Sequence, residues 1–272
     1  VTEHLVEKPD PDLAWLDRPE VVRVLFYPRR EPPNRPTPLR VRRVSFPVAD
    51  GIEIHGRLHR AKLDGPTILL FHGNGEIAAD YDGISPLYSE WGINLLVVDY
   101  RGYGNSDGQP NASHLLADAV AVFNQVSPLL VAHGLRARPL FIMGRSLGSA
   151  PAIEIGWRAA GDIDGLIIES GFARTLPLLV TLGLRSALGE PDEARRGFGN
   201  LDKIANIQTP TLVIHGQDDR LVPVANGHAL YTASGADEKR LVIIPDAGHN
   251  DLLFVGQGIY FQALRDFLLS GE

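Results

Sequence analysis

The chain has 272 residues, a formal net charge of −7 and a pI near 5.7; 44% of its residues are hydrophobic and 22% charged. That balance suits one large α/β domain with a substantial core and leaves no basic footprint for nucleic acid. There is no cysteine, which excludes disulfides, thiolate catalysis and cysteine-based metal sites.

Residues 1–20 read as a polar lead-in with a short helix around Leu13 to Leu16. Residues 1–12 are charged and carry no apolar leader core, and no apolar run approaches the ~18 residues of a membrane span. The expectation is a soluble, cytoplasmic protein. Val21 to Tyr27 reads as a strand, and the five prolines between Pro28 and Pro38 exclude regular structure there. Seven arginines between Arg23 and Arg43 stand against one acid, Glu31, and read as a solvated edge. Val41 to Phe46 and Ile52 to His59 alternate as a strand pair around Ala49-Asp50-Gly51.

Short, continuously apolar runs then recur at Thr67–Phe71, Ile93–Val98, Leu140–Met143, Gly165–Ile168, Thr211–Ile214 and Leu241–Ile244. Such runs are strands of a parallel sheet buried on both faces. Helical patterns lie between most of them, at about 76–90, 113–133, 146–159, 223–234 and 251–269. The predicted fold is α/β: a mostly parallel, doubly wound sheet entered through N-terminal antiparallel strands. With no internal repeat or linker, residues 1–272 form one domain. A small helical cap insertion, about 171–209, holds an apolar patch (Leu176 to Leu184) and a charged stretch from Glu190 to Arg196.

Four loops at strand ends carry the chemistry, where open α/β sheets place their sites. Gly144-Arg145-Ser146-Leu147-Gly148 joins an apolar run to a helical one, which puts Ser146 on a sharp turn. Asp219 follows the Thr211–Ile214 run and is suited to orienting a histidine; Asp218 competes, and the spacing to Val222-Pro223 favours Asp219. His249 follows the last run in Ala247-Gly248-His249 and is suited to act as base. Phe71-His72-Gly73-Asn74-Gly75 offers backbone N–H groups that, with that of Leu147, suit an oxyanion hole. His72 and His215 also end strands but precede glycines and read as structural; Asp99 and Asp251 read as loop or cap carboxylates.

The order Ser146, Asp219, His249 is that of the α/β-hydrolase fold. The chain resembles that superfamily from about Val21 to Leu269, and within it the Bem46-like serine hydrolases with a small cap. The pieces that carry the resemblance are Leu70-Phe71-His72-Gly73-Asn74, Val98-Asp99-Tyr100-Arg101-Gly102-Tyr103-Gly104, Gly144 to Ser149, Glu169-Ser170, His215-Gly216 with Asp219 and Val222-Pro223, and Ala247 to Asp251. The resemblance implies Ser146 as nucleophile, Asp219 as acid, His249 as base, and the Asn74 and Leu147 N–H groups as oxyanion donors. It implies no metal or cofactor. Eukaryotic relatives carry membrane anchors or palmitoylated cysteines; neither is seen here, and protein depalmitoylation is not carried over.

The function expected is cleavage of carboxylic esters or thioesters of short to medium acyl chains through an acyl-enzyme, with a small-molecule acyl substrate as partner. The alternatives are a peptidase or amidase on the same triad and a hydrolase-like ligand receptor without turnover. A more distant one is an NAD-dependent oxidoreductase, because Gly73-Asn74-Gly75-Glu76-Ile77-Ala78 with Asp99 fits a dinucleotide fingerprint. Glu76 also places a carboxylate in the oxyanion-side loop, where it is expected to disfavour anionic acyl groups.

Overall fold

The computed structural model describes residues 12–159, 161–184 and 197–269. Most of the lead-in and the charged stretch from Glu190 to Arg196 lie outside these residues. Eight strands form one sheet: β1 (Val41–Ala49), β2 (Ile52–His59), β3 (Thr67–Phe71), β4 (Asn94–Val98), β5 (Leu140–Arg145), β6 (Gly165–Glu169), β7 (Thr211–Gly216) and β8 (Lys239–Ile244). Their spatial order is β1-β2-β4-β3-β5-β6-β7-β8. β1, β2 and β4 pair antiparallel, and every pairing from β4 to β8 is parallel. The chain leaves β3 for β4 on one side and crosses back to β5 on the other, so the crevice lies at the carboxyl ends of β3 and β5.

The continuous apolar runs are explained by two faces. Leu69, Phe71, Leu96, Val98, Ile142 and Ile168 join the core on one side. Their neighbours Ile68, Leu70, Leu95, Val97, Met143 and Ile167 join the core on the other. Helices α3 (Ala112–Ala132) and α4 (Ser149–Arg158) cover the first face. Helix α2 (Ser85–Ser89), and α8 (Leu252–Val255) with α9 (Gln257–Leu268), cover the second. Helix α3 is long and apolar enough to cross a bilayer by length and composition, unlike the sequence expectation. Here Leu115, Leu116, Val122 and Val126 are spent in the core, and its Asp118 is paired with Arg101.

Three elements differ from expectation. Pro19–Leu25 is a helix, α1, instead of part of a strand. Pro19 presets the first helical turn, and Val21 and Leu25, four residues apart, enter the core while Arg23 stays exposed. The β-branched propensity of the segment is overridden by packing against α5 (Thr175–Thr181). Residues 76–90 form a 3₁₀ turn, Ala78–Asp82, and the short α2, not one helix. The 251–269 pattern is broken at Gly256, where a Cβ would stand 2.2 Å from Ile244 Cγ2 on β8. The remaining helices among the described residues are α6 (Asn200–Ile204) and α7 (Ala225–Ala233).

The two arms of the insertion are tied at its base. Phe198 N–H donates to Thr175 Oγ1 (2.9 Å), and Asn200 Nδ2 donates to the Phe172 carbonyl (2.9 Å). Leu176, Leu179 and Leu184 belong to the main core. Helix α1 rests on the same layer. Leu25→Ala is therefore expected to lower the unfolding free energy by about 2–5 kcal/mol. A urea titration showing a loss under ~1 kcal/mol would mean that α1 is not built into the core.

Candidate active site

Strand β5 ends at Arg145, and Ser146 follows with φ +52°, in the left-handed region that side chains avoid. The turn closes because its neighbours have no side chain. A Cβ on Gly144 would lie 2.2 Å from the Gly148 carbonyl oxygen, and one on Gly148 would lie 2.0 Å from that of Phe71. The Ser149 hydroxyl donates to the Ser146 carbonyl (2.7 Å) and pins the turn at the start of α4.

Ser146, Asp219 and His249 come together from three strand ends. His249 Nε2 is 2.9 Å from Ser146 Oγ, and His249 Nδ1 is 2.7 Å from Asp219 Oδ2. Asp219 is buried and meets His249, whereas Asp218 is exposed. The other oxygen of Asp219 accepts the N–H groups of Leu221 (2.9 Å) and Val222 (2.7 Å). Burial works against the charge on Asp219, but hydrogen bonds from His215 and His249 and from the Val222 N–H outweigh it and hold its pKa well below the usual carboxylate range. His215 is fully buried; its Nε2 lies 2.7 Å from the Val222 carbonyl oxygen and 3.4 Å from Asp219 Oδ2. It stands beside the acid, a role the sequence reading did not give it. The signal was its position four residues before Asp219 at a strand end.

Asn74 sits in the β3 loop with its side chain fully employed. Its Oδ1 accepts the Tyr27 N–H (2.7 Å) and the Tyr103 hydroxyl (2.6 Å), and its Nδ2 donates to the Leu25 carbonyl (3.0 Å). Among the described residues nothing accepts the Asn74 main-chain N–H. The loop's other end is held by Asp99, whose Oδ1 accepts the Ala78 N–H (2.8 Å) and lies 3.4 Å from His72 Nε2.

Glu76 is not a free charge facing the acyl side. It forms an ion pair with Arg145, and its second oxygen accepts the Gly73 N–H (2.9 Å) and the Tyr81 hydroxyl (2.8 Å). Burial alone would raise its pKa; the Arg145 charge and these donors lower it. Arg145 also reaches Glu169 Oε1 (3.0 Å), the His249 carbonyl (2.9 Å) and Asn250 Oδ1 (2.9 Å). Glu169 accepts the Tyr260 hydroxyl (2.6 Å), which lies 3.0 Å from that of Tyr88. Glu76 thus fills the anion seat that a dinucleotide would need at Gly73. A five-residue 3₁₀ turn replaces the long helix of that fingerprint, and Asp99 is already committed. The oxidoreductase reading fails on these grounds.

A cavity of about 370 Å³ opens beside His249, between the 76–88 segment and α8. None of the described cap residues lines it. Among the described residues no cluster of three or more histidine, aspartate or glutamate side chains is placed to ligate a metal.

A family model described as serine aminopeptidase, S33, matches residues 65–189 and 199–253. Alpha/beta hydrolase domain-containing protein 17B of Homo sapiens is 32% identical over 210 residues; the match covers 74% of this chain and 66% of that protein, just under two thirds of its length. The uncharacterized protein YfhR of Escherichia coli (strain K12) is 31% identical over 267 residues, 93% of this chain and 89% of its own. Of solved structures, the Pyrococcus furiosus esterase Pf2001 superposes with a TM-score of 0.70 at 19% identity, covering 89% of this chain and 97% of its own. A thermophilic esterase from Thermogutta terrifontis gives a TM-score of 0.62 at 20% identity, covering 84% and 98%. Both share the fold.

The Asp219 carboxylate has its pKa depressed by folding, so it contributes stability that is fully present above its unfolded value, about pH 4, and lost as the pH falls below it. Asp219→Asn removes that contribution. The stability gap between wild type and Asp219→Asn is expected to be widest near neutral pH and to close toward roughly pH 2. Urea titrations showing a constant gap across that range would contradict the assignment.

Proposed function

The chain belongs to this family of α/β-hydrolases, and on that premise we propose that it is a serine hydrolase of carboxylic esters and thioesters of short to medium acyl chains. The observation that carries the reading is the hydrogen-bonded line Ser146 Oγ–His249–Asp219, set at a left-handed turn. Ser146 Oγ attacks the carbonyl carbon as its proton passes to His249 Nε2. Asp219 keeps the imidazole in register and stabilises the imidazolium. The carbonyl oxygen takes up negative charge between the N–H groups of Asn74 and Leu147, where each donor is worth roughly 10²–10³ in rate. The tetrahedral intermediate collapses, the leaving group takes the proton from His249, and an acyl-Ser146 ester remains. Water, deprotonated by His249, then releases the acid.

Acyl length follows from where the apolar side chains of the cap have gone. Leu176, Leu179 and Leu184 are packed in the core and supply no long apolar channel. Peptide amides are the second reading, favoured by the family to which the chain belongs. The same groups serve it, but an amine leaves only when His249 delivers its proton in the transition state.

The test is fluorophosphonate labelling followed by an acyl panel. Ser146 is expected to carry the label. Ser146→Ala is expected to lose it and to lower hydrolysis by roughly 10³-fold or more. Among p-nitrophenyl esters, kcat/KM is expected to peak at short to medium acyl length. Label on another serine would sink the nucleophile, and a preference for C16 chains would overturn the substrate class.

A further inference from the structure

His215 lies at the end of β7, four residues before the acid, and its side chain is fully buried. One short contact fixes its hydrogen. Nε2 lies 2.7 Å from the Val222 carbonyl oxygen. A carbonyl oxygen only accepts, so Nε2 carries the hydrogen and donates it. Nδ1 has no partner among the described residues. Helix α7 comes against that edge of the ring through Gly227, where a Cβ would stand 2.8 Å from Nδ1. The ring is held between a carbonyl on one edge and a glycine backbone on the other.

Val222 joins this ring to the acid. Its N–H donates to Asp219 Oδ1 (2.7 Å), and its carbonyl accepts from His215. The loop from Asp219 to Val222 is therefore closed at Oδ1 and anchored to the end of β7 at the Val222 carbonyl. The other oxygen, Oδ2, meets His249 Nδ1 at 2.7 Å and stands 3.4 Å from His215 Nε2. The His215 N–H thus lies beside the same oxygen that holds the base, in a buried place where charge and dipole are poorly screened. A donor beside a carboxylate favours its charged form and makes its oxygen less basic. Such an oxygen pulls less strongly on a proton held by its second partner.

We propose that His215 is a positioning residue of the active site: it fixes which oxygen of Asp219 faces His249, and it weakens the hold of that oxygen on the His249 Nδ1 proton. This rests on the reading of His249 as the base that acts on Ser146. The other charged and titratable groups nearby are engaged elsewhere or exposed. Arg145 bonds the His249 carbonyl, and Asp251 accepts the Gly248 N–H (2.6 Å). Glu169, at the end of β6, is taken by Arg145 and Tyr260. Asp218 and, on α7, His228 are exposed.

The test uses the full chain. His215→Phe keeps a planar ring and removes the N–H. His215→Gln returns an amide N–H the same number of bonds from the main chain as Nε2. In His215→Phe the acid limb of kcat/KM for p-nitrophenyl butyrate is expected to move to higher pH by about half a unit or more, because the Asp219 oxygen then holds the His249 proton more strongly. The proton resonance of His249 Nδ1–H, identified by its loss in His249→Gln, is expected to move downfield. His215→Gln is expected to recover most of both changes. His215→Leu serves if the phenylalanine variant does not fold. A role in packing alone would lower stability and leave limb and resonance in place. Folded variants in which neither moves, or in which glutamine is no closer to wild type than phenylalanine, would overturn the proposal. Failure of the wild-type chain to take a fluorophosphonate at Ser146 would instead overturn the hydrolase reading beneath it, and the resonance would still report on His215.

Discussion

The guanidinium of Arg145 is the contact on which the geometry of the site depends. It immediately precedes the left-handed Ser146, so β5 fixes its backbone while its side chain reaches three other segments. Glu76 belongs to the oxyanion loop, Glu169 to the end of β6, and the His249 carbonyl and Asn250 to the loop after β8. One buried and one half-buried carboxylate on one guanidinium are not a strong source of net stability, because desolvation consumes most of the attraction. What the arrangement supplies is register. A planar fork can satisfy several acceptors in fixed directions, which a lysine ammonium on the same stem cannot. Removing it would strand Glu169 as a buried charge without its cation and leave Glu76 without its ion pair.

The second constraint comes from outside the parallel sheet. Of the arginine-rich segment after α1, Arg30, Arg40, Arg42 and Arg43 are exposed, as a solvated edge would be, while Arg29 and Arg35 are half-buried. Arg29 binds the Gly75 carbonyl and Asp80, Arg35 binds Asp80 and the Ala79 carbonyl, and Tyr27 N–H binds Asn74. Arg43 and the fully buried Arg57 share Glu31, and Arg57 also pairs with Asp82. The oxyanion loop is therefore clamped from the sheet side by Glu76 and from the outer side by the N-terminal segment. Its many carbonyls and carboxylates need donors, and an extended, proline-rich segment can bring arginines to them without a helix or strand of its own.

What was legible in the sequence follows from locality. Each parallel strand announces itself because both its faces are buried, and Ser146, Asp219 and His249 each sit within a few residues of such a run. The misread parts depend on partners far along the chain. Val21 to Leu25 has strand-like composition, and only its packing against α5 makes it helical. The stretch from 76 to 90 has helical periodicity, but Asp99, Arg29 and Arg35 satisfy its backbone and side chains in a tighter turn. The charge on Glu76 was visible, whereas its partner, 69 positions away, was not. The apolar patch at 176–184 could have been core or substrate wall, since composition cannot say which way a leucine points.

His249 is gripped at three places: Nδ1 by Asp219, Nε2 by Ser146 and its carbonyl by Arg145. It is also part of a cavity wall that carries Arg145, Glu76 and Glu169 together with Asp80, which pairs with Arg29 and Arg35. His249 and the space beside it thus share Arg145 as a support. The Asn74 side chain is held by further contacts, through Tyr27 and Tyr103. The loop after β3 is tied to Arg145 through Glu76 and to the N-terminal segment through Asn74, so the two sets of contacts meet within one loop beside the turn that carries Ser146.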